Sequence, residues 1–236
     1  MADWLSYSLS DLLMFAPDTY FRLFALYNQD VWPAQVAALA AAVAILVATG
    51  IGGARTSRVA WAILACCWLT TAWGFHLERY ATLTWVAPSF AAGFALQALL
   101  MAWAGALRGR LEIAPRRTIG SIIGLGIVVF AVFGYPLLAP LLGRPWSQAE
   151  VFALAPDPTA AATLGLLLLT GGRVAWRVFA VPVAWSAISG ATLWAMASPQ
   201  CVVLPGLAAL SLVVAAVRAA GRRRGNAKAD VPRSRT

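Results

Sequence analysis

Charge is what this sequence has least of. Only 11% of its 236 residues are Asp, Glu, Lys or Arg, and 61% are apolar; soluble domains carry about 25% charged residues. An ordinary soluble fold is excluded, and the mean hydropathy of +0.75 points to an integral membrane protein. The single lysine, Lys228, lies in the polar C-terminal tail, so a retinal-type Schiff base, which needs a lysine inside the bundle, is excluded. With one histidine, His76, the chain cannot build a bis-histidine haem or a multi-histidine zinc site. Its three cysteines, Cys66, Cys67 and Cys201, cannot make a disulfide framework. Long polar segments are lacking too, which leaves no room for a soluble domain between apolar runs. No cofactor is expected.

What is present is a series of apolar stretches. A bilayer-crossing helix takes about 20 predominantly apolar residues. Seven stretches meet or approach that length: Val31–Gly50, Ala60–His76, Trp85–Leu107, Thr118–Leu138, Asp157–Gly172, Val174–Ala197 and Cys201–Val217. The fifth reaches only ~24 Å at helical rise, so it has to snorkel through Arg173, thin the bilayer or sit partly re-entrant. The expected fold class is all-α, a polytopic bundle of seven transmembrane helices with short interfacial helices on its extracytoplasmic face.

Basic residues set the orientation, because cytoplasmic loops collect Lys and Arg. Fifteen of the 18 basic residues follow the first, third, fifth and seventh spans, leaving only Arg22, Arg79 and Arg144 on the other side. Acidic residues reverse the bias: of nine, only Glu112 and Asp230 accompany the basic loops. The N-terminus is therefore expected outside and the C-terminus in the cytoplasm. Residues 1–30 read as extracytoplasmic interfacial helices, 31–217 as the membrane bundle and 218–236 as a basic, disordered cytoplasmic tail. That tail is expected to meet anionic lipid headgroups rather than nucleic acid. The N-terminus lacks the positive n-region of a cleavable signal peptide.

On the outer side, Ser8 and Asp11 can start one short turn, and Pro17-Asp18 open a helix placing Phe21, Phe24, Ala25 and Tyr27 near one face. Such a helix can lie at the headgroup level with its aromatics buried. Asn28, Asp30, Trp32 and Pro33 then cap the first span. In Gly143–Glu150, the spacing of Ser147 and Glu150 predicts a capping box and a short helix through Leu154, after which Asp157-Pro158 caps span five. Prolines 33, 88, 158 and 205 stand near the outer start of each outside-to-inside span.

The densest polar cluster is Trp73–Tyr80, at the outer end of span two. A continuous α-helix there puts His76 and Tyr80 one turn apart, Arg79 beside His76, and Glu78 toward Arg22 or Arg144. Histidine can relay protons, and ionisable groups at membrane depth are functional candidates, set against a plain helix-ending cluster. The His-x-Glu of zinc deaminases has no matching Pro-Cys-x-x-Cys here, and Ala187–Gly190 fits the serine motif of rhomboid-like proteases poorly. Cys66-Cys67, with Cys201 near the outer surface, are weak candidates for soft-metal ligands, although consecutive helical residues point about 100° apart. Gln97 needs a partner in mid-span, and Gly120 and Gly124 form a G-x-x-x-G that predicts a close helix contact.

Several of these segments resemble a family of bacterial integral membrane proteins known only as a domain of unknown function. They are Phe15–Phe24, Tyr27-Asn28, Trp32–Gln35, Phe75-His76, Arg79-Tyr80, Tyr135-Pro136, Gly143–Trp146, Asp157–Thr159 and Ser189–Trp194. The resemblance implies a multi-pass protein of the bacterial inner membrane and supplies no activity.

The residues themselves favour transport or capture of a small solute or ion from the outer side. Arg22, Asn28, His76, Glu78, Arg79, Tyr80, Arg144, Glu150 and Asp157 are the candidate binding or gating groups. The alternative is a non-catalytic membrane subunit within a homo-oligomer or larger complex. No enzyme is expected, because all acidic residues flank the spans and a buried carboxylate pair is not foreseen.

Overall fold

Mostly apolar helices with few polar positions can satisfy their backbone hydrogen bonds internally, which is what a hydrocarbon environment demands. The computed structural model describes residues 15–114 and 118–229, with side chains through residue 222. It is all-α, and the turn placed at Ser8 and Asp11 lies outside the described residues. Among the described residues, six helical segments are long and apolar enough to cross a membrane: Ala34–Ile51, Ala54–Thr82, Ala87–Leu107, Ile119–Leu141, Trp176–Ala195 and Pro199–Arg222.

In chain order, α1 (Pro17–Asp30) precedes α2 (Ala34–Ile51) and α3 (Ala54–Thr70), and α3 runs on into a π-helical segment, Thr71–Leu77. Next come α4 (Ala87–Met101), α5 (Ile119–Val129) and the short α6 (Leu138–Leu141). The last three are α7 (Pro156–Leu169), α8 (Trp176–Ala195) and α9 (Val203–Ala229). Further π-helical segments extend α4 over Ala102–Leu107 and α5 over Phe130–Gly134. The first part of the basic tail, expected to be disordered, thus continues as helix to Ala229.

The fifth apolar run is α7, and its 14 residues are all buried. At ~21 Å it is short, but it meets protein instead of lipid, packing against α3, α5, α8 and α9. Glycine makes the closest of these approaches possible. A Cβ on Gly124 of α5 would lie 2.7 Å from the Gly165 carbonyl oxygen, and one on Gly165 would lie 2.6 Å from that of Gly124. The G-x-x-x-G expectation of a close contact holds: Gly124 meets α7, and Gly120 faces Val214 of α9. Trp68, fully buried, donates to Thr163 Oγ1 of α7 at 2.8 Å. Gln97 finds its partner in the Val178 carbonyl, 3.0 Å away.

The two ends of the bundle are closed differently. At one end the segment Leu111–Ala114 is sewn between the start of α3 and the end of α7. Trp61 Nε1 donates to the Leu111 carbonyl at 2.7 Å, and Ser57 Oγ accepts from the Ile113 N–H at 2.8 Å. Ala114 N–H donates to Leu169 and Gly171 N–H to Glu112, at 3.1 and 2.7 Å. At the other end lies α1, whose Tyr20, Phe21, Leu23, Phe24 and Tyr27 are buried. Its aromatic face was expected in the headgroup layer. It packs on the protein instead, with Phe24 stacked on Phe75 at 5.0 Å.

Candidate functional site

Beneath α1, the polar side chains that the sequence scattered over several loops come together. Residues 143–155 were expected to hold a capping box and a helix. They form only a 3-10 turn, Trp146–Gln148, and then run irregularly inward with Ala153 at φ 67°. Glu150 consequently caps nothing. It is 4% exposed and accepts from Gln200 Nε2 at 2.5 Å. The Gln200 amide oxygen in turn accepts from Arg144 Nη2, and the Arg144 guanidinium lies 3.9 Å above the Phe21 ring of α1. Arg144, Gln200 and Glu150 thus form a chain leading from the half-buried rim into the core.

Asp157, in the first turn of α7, is 1% exposed. Three neutral donors hold its carboxylate: Tyr135 Oη at 3.1 Å, Ser189 Oγ at 2.6 Å and Trp185 Nε1 at 2.8 Å. They come from the end of the α5 extension and from α8, so the carboxylate ties three helical segments together. A helix N-terminus favours negative charge, which explains part of its tolerance there. The expectation that no carboxylate pair would be buried is overturned, since Glu150 and Asp157 both are. Burial pushes the Glu150 carboxyl up to about 8, and the nearby Asp157 charge adds to that, while Gln200 and Arg144 pull it back. Burial also lowers the Arg144 guanidinium from its usual range.

His76 is not the interfacial group a regular α-helix would make it. The π-helical segment Thr71–Leu77 adds residues to the turn and carries the imidazole inside, where it is fully buried. Gly74 admits this packing, because a Cβ there would sit 2.7 Å from Tyr27 Oη of α1. Phe94, Trp185, Phe75, Tyr80 and Phe90 surround the ring at centroid distances of 4.5, 5.0, 5.3, 6.0 and 6.1 Å. Neither ring nitrogen has a hydrogen-bond partner among the described residues, an unusual condition for a buried polar group. Trp185 is the shared wall: one edge touches the imidazole and its N–H holds Asp157. π-Helical turns inside longer helices are frequent at functional sites.

The other expected groups have structural partners or face outward. Arg79 pairs with Asp30 at 2.9 Å rather than serving His76. Asn28 donates to the Ser147 and Ala149 carbonyls, both at 2.9 Å, stapling α1 to the inward-running loop. Tyr80 is buried in the aromatic stack, while Arg22 and Glu78 are exposed, and Glu78 forms no ion pair with Arg22 or Arg144. Cys66 is exposed, Cys67 buried and Cys201 half-buried, and none is paired. Among the described residues no three His, Cys, Asp or Glu gather as a metal site. Trp185 and Gln200 join the site without having been predicted, while Tyr135 and Ser189 were marked only by the family-like segments and, for Ser189, by the poorly fitting serine motif. Their common signal is a hydrogen-bonding side chain near the outer end of an apolar run.

No curated protein and no solved structure matches this chain significantly. A family model does match residues 17–225, which takes in α1, the bundle and every residue of the buried cluster, and on that match the chain belongs to the family of unknown function DUF6064.

Proposed function

We propose that this is a seven-crossing protein of the bacterial inner membrane that captures a small cation from the α1 side in exchange for a proton. The seventh crossing is α7. Its first turn meets Tyr135 and Ser189 at the α1 end, and its last residues meet Ala114 and Arg218 at the opposite end. The basic residues cluster at that opposite end, which supports a cytoplasmic C-terminus. Trp32, Trp73, Trp85, Trp146 and Trp194 are exposed around the α1 end, as in an aromatic belt at the outer interface.

One observation carries the functional reading: a wholly buried carboxylate, Asp157, is held by neutral donors alone, with a second buried carboxylate in Glu150. Of the three candidate arginines, Arg79 pairs with Asp30, Arg22 faces outward, and only Arg144, bonded to the neutral Gln200 amide, reaches the cluster. When both carboxylates are ionised they outnumber Arg144, which favours uptake of a proton or a small cation over an anion. Glu150, its carboxyl raised by burial, is the group that releases the proton when the cation arrives. Ser189 donates to Asp157 and not to His76, so the serine–histidine arrangement of a hydrolase does not form, and the reading is of a carrier and not an enzyme.

Reconstituted proteoliposomes enclosing a pH-sensitive dye test this. Imposed gradients of monovalent and divalent cations should drive proton movement for one of them, and Asp157→Asn should abolish it. Proton movement no greater than in empty liposomes for the whole panel would refute the reading. A stoichiometric partner co-purifying in mild detergent would favour the non-catalytic subunit in its place.

A further inference from the structure

At the end of the bundle opposite α1, a cavity of about 470 Å³ opens between α5 and α9 above the last turn of α7. Its walls are mainly apolar, with Ile119, Val213 and Val217 exposed at its mouth. These positions lie on two membrane-spanning candidates, Ile119–Leu141 and Pro199–Arg222, so the mouth looks sideways toward lipid. The cationic groups gather toward the basic end, where Arg218 and Arg222 stand one turn apart on α9. No Asp or Glu lines the cavity among the described residues.

Arg218 is only half explained by the protein. Its Nη1 donates to the Leu168 and Thr170 carbonyls at 3.2 and 2.7 Å, completing the C-terminal turn of α7. Nε and Nη2 are shielded from solvent and have no partner among the described residues. Guanidinium N–H groups arranged as a fork suit phosphate oxygens. Across the cavity α5 begins at Ile119, and Thr118 Oγ1 takes the Ser121 N–H at 3.2 Å. The remaining first-turn N–H groups of that helix add partial positive charge on the same side.

We propose that this cavity holds one anionic phospholipid. Its phosphate lies between Arg218, Arg222 and the start of α5, and the upper part of an acyl chain follows Ile119, Val213 and Val217. A free phosphate would satisfy the arginines and leave the apolar walls uncovered. A zwitterionic lipid would bring a third cation to a site that already has two and no carboxylate. The lipid also bridges α5 and α9 next to the buried end of α7.

The test is native mass spectrometry of the full chain, released from micelles containing equal phosphatidylglycerol and phosphatidylcholine. One phosphatidylglycerol per chain should be retained in preference to phosphatidylcholine. Arg222→Gln should cut that preference about fivefold, the worth of one basic residue at a lipid surface. Val213→Trp, which fills the cavity and keeps both arginines, should remove the retained lipid. Arg218→Gln should act like Arg222→Gln or more strongly, and because Arg218 also closes α7, the other two variants decide the matter if it misfolds. Equal retention of both lipids, or an unchanged preference in Arg222→Gln and Val213→Trp together, would overturn the proposal. Displacement of the lipid by inorganic phosphate at similar concentration would overturn it as well, assigning the arginines to a free anion.

Discussion

Replacing Asp157 with asparagine or with leucine should separate its charge from its hydrogen bonds. Two of its three donors are hydroxyls, Tyr135 and Ser189, which both approach Oδ2, whereas the Trp185 N–H approaches Oδ1. A hydroxyl can turn and accept, but an indole N–H only donates. Asparagine can therefore keep its oxygen toward Trp185 and donate its amide to the hydroxyls, with no polar group orphaned. The expected loss is about 1 kcal/mol, the difference between charged and neutral hydrogen bonds. Leucine strands the Trp185 N–H and the Tyr135 hydroxyl, at about 1–3 kcal/mol each. Ser189 suffers less, since it can bond the carbonyl one turn back, as Ser186 does to Pro182 at 2.7 Å. The sum, about 2–6 kcal/mol, lowers a thermal midpoint by about 5–20 °C in a chain of this size. Asparagine should cost only about 2–4 °C while losing cation-driven proton movement. Thermal unfolding of the detergent-purified protein, read by intrinsic tryptophan fluorescence, gives the midpoints. If asparagine falls as far as leucine, or leucine costs nothing, the three-donor arrangement does not hold Asp157 as described.

Glu150 predicts a pH effect with a definite sign. Its folded-state carboxyl is raised to about 8, so the native state holds the proton more tightly than the unfolded chain, and stability should fall as pH rises from about 4.5 to about 8. Glu150→Gln should flatten that slope in thermal melts across the window. Gly165→Ala puts a methyl group 2.6 Å from the Gly124 carbonyl oxygen, where backbone has to move. An overpacking loss of about 1–3 kcal/mol should lower the melting midpoint, whereas Gly126→Ala, with open space around it, should not. Asn28→Ala removes both bonds from α1 to the loop at Ser147 and Ala149. At about 1 kcal/mol each, hydrogen exchange over Pro17–Asp30 should speed up by roughly 10- to 30-fold, and unchanged exchange would show that the staple does not hold α1.

Much of the architecture was legible because apolar run length and loop charge are one-dimensional signals. The six long helices fall where those runs fall, and the tight contact at Gly124 follows from the absence of a side chain. The buried site was legible only in part, for two physical reasons. In a membrane protein, the faces toward lipid and toward neighbouring helices are both apolar, so periodicity says little about which face is inside. Nothing in the leucines and alanines of α7 marks it as central, although its shortness and the paired Thr159 and Thr163 agree with that position. Local patterns also had rivals in tertiary structure. The Ser147–Glu150 spacing fits a capping box, but the Gln200 amide competes for the same carboxylate and wins, drawing the loop inward. A π-helical segment shifts every residue beyond it around the helix, which is why His76 lies among aromatic rings instead of at the rim. Tyr135, Trp185, Ser189 and Gln200 are distant in sequence from Glu150 and Asp157, and only the fold shows which carboxylate each one serves.

The enclosed position of α7 also bears on how the chain is made. A helix that keeps no surface for lipid in the finished protein is a poor candidate to partition into a bilayer by itself, more so with 14 residues and an aspartate in its first turn. Two of the helices that enclose it, α8 and α9, are synthesised after it. On the proposed seven-crossing topology, its lasting insertion waits for their arrival, with Trp185 and Ser189 of α8 supplying donors to the aspartate. Chains truncated before α8 should leave this segment outside the bilayer, accessible to a glycosylation tag placed at its C-terminal end, while the preceding four long helices are already in place. The centre of the bundle is then the last part of it to enter the membrane.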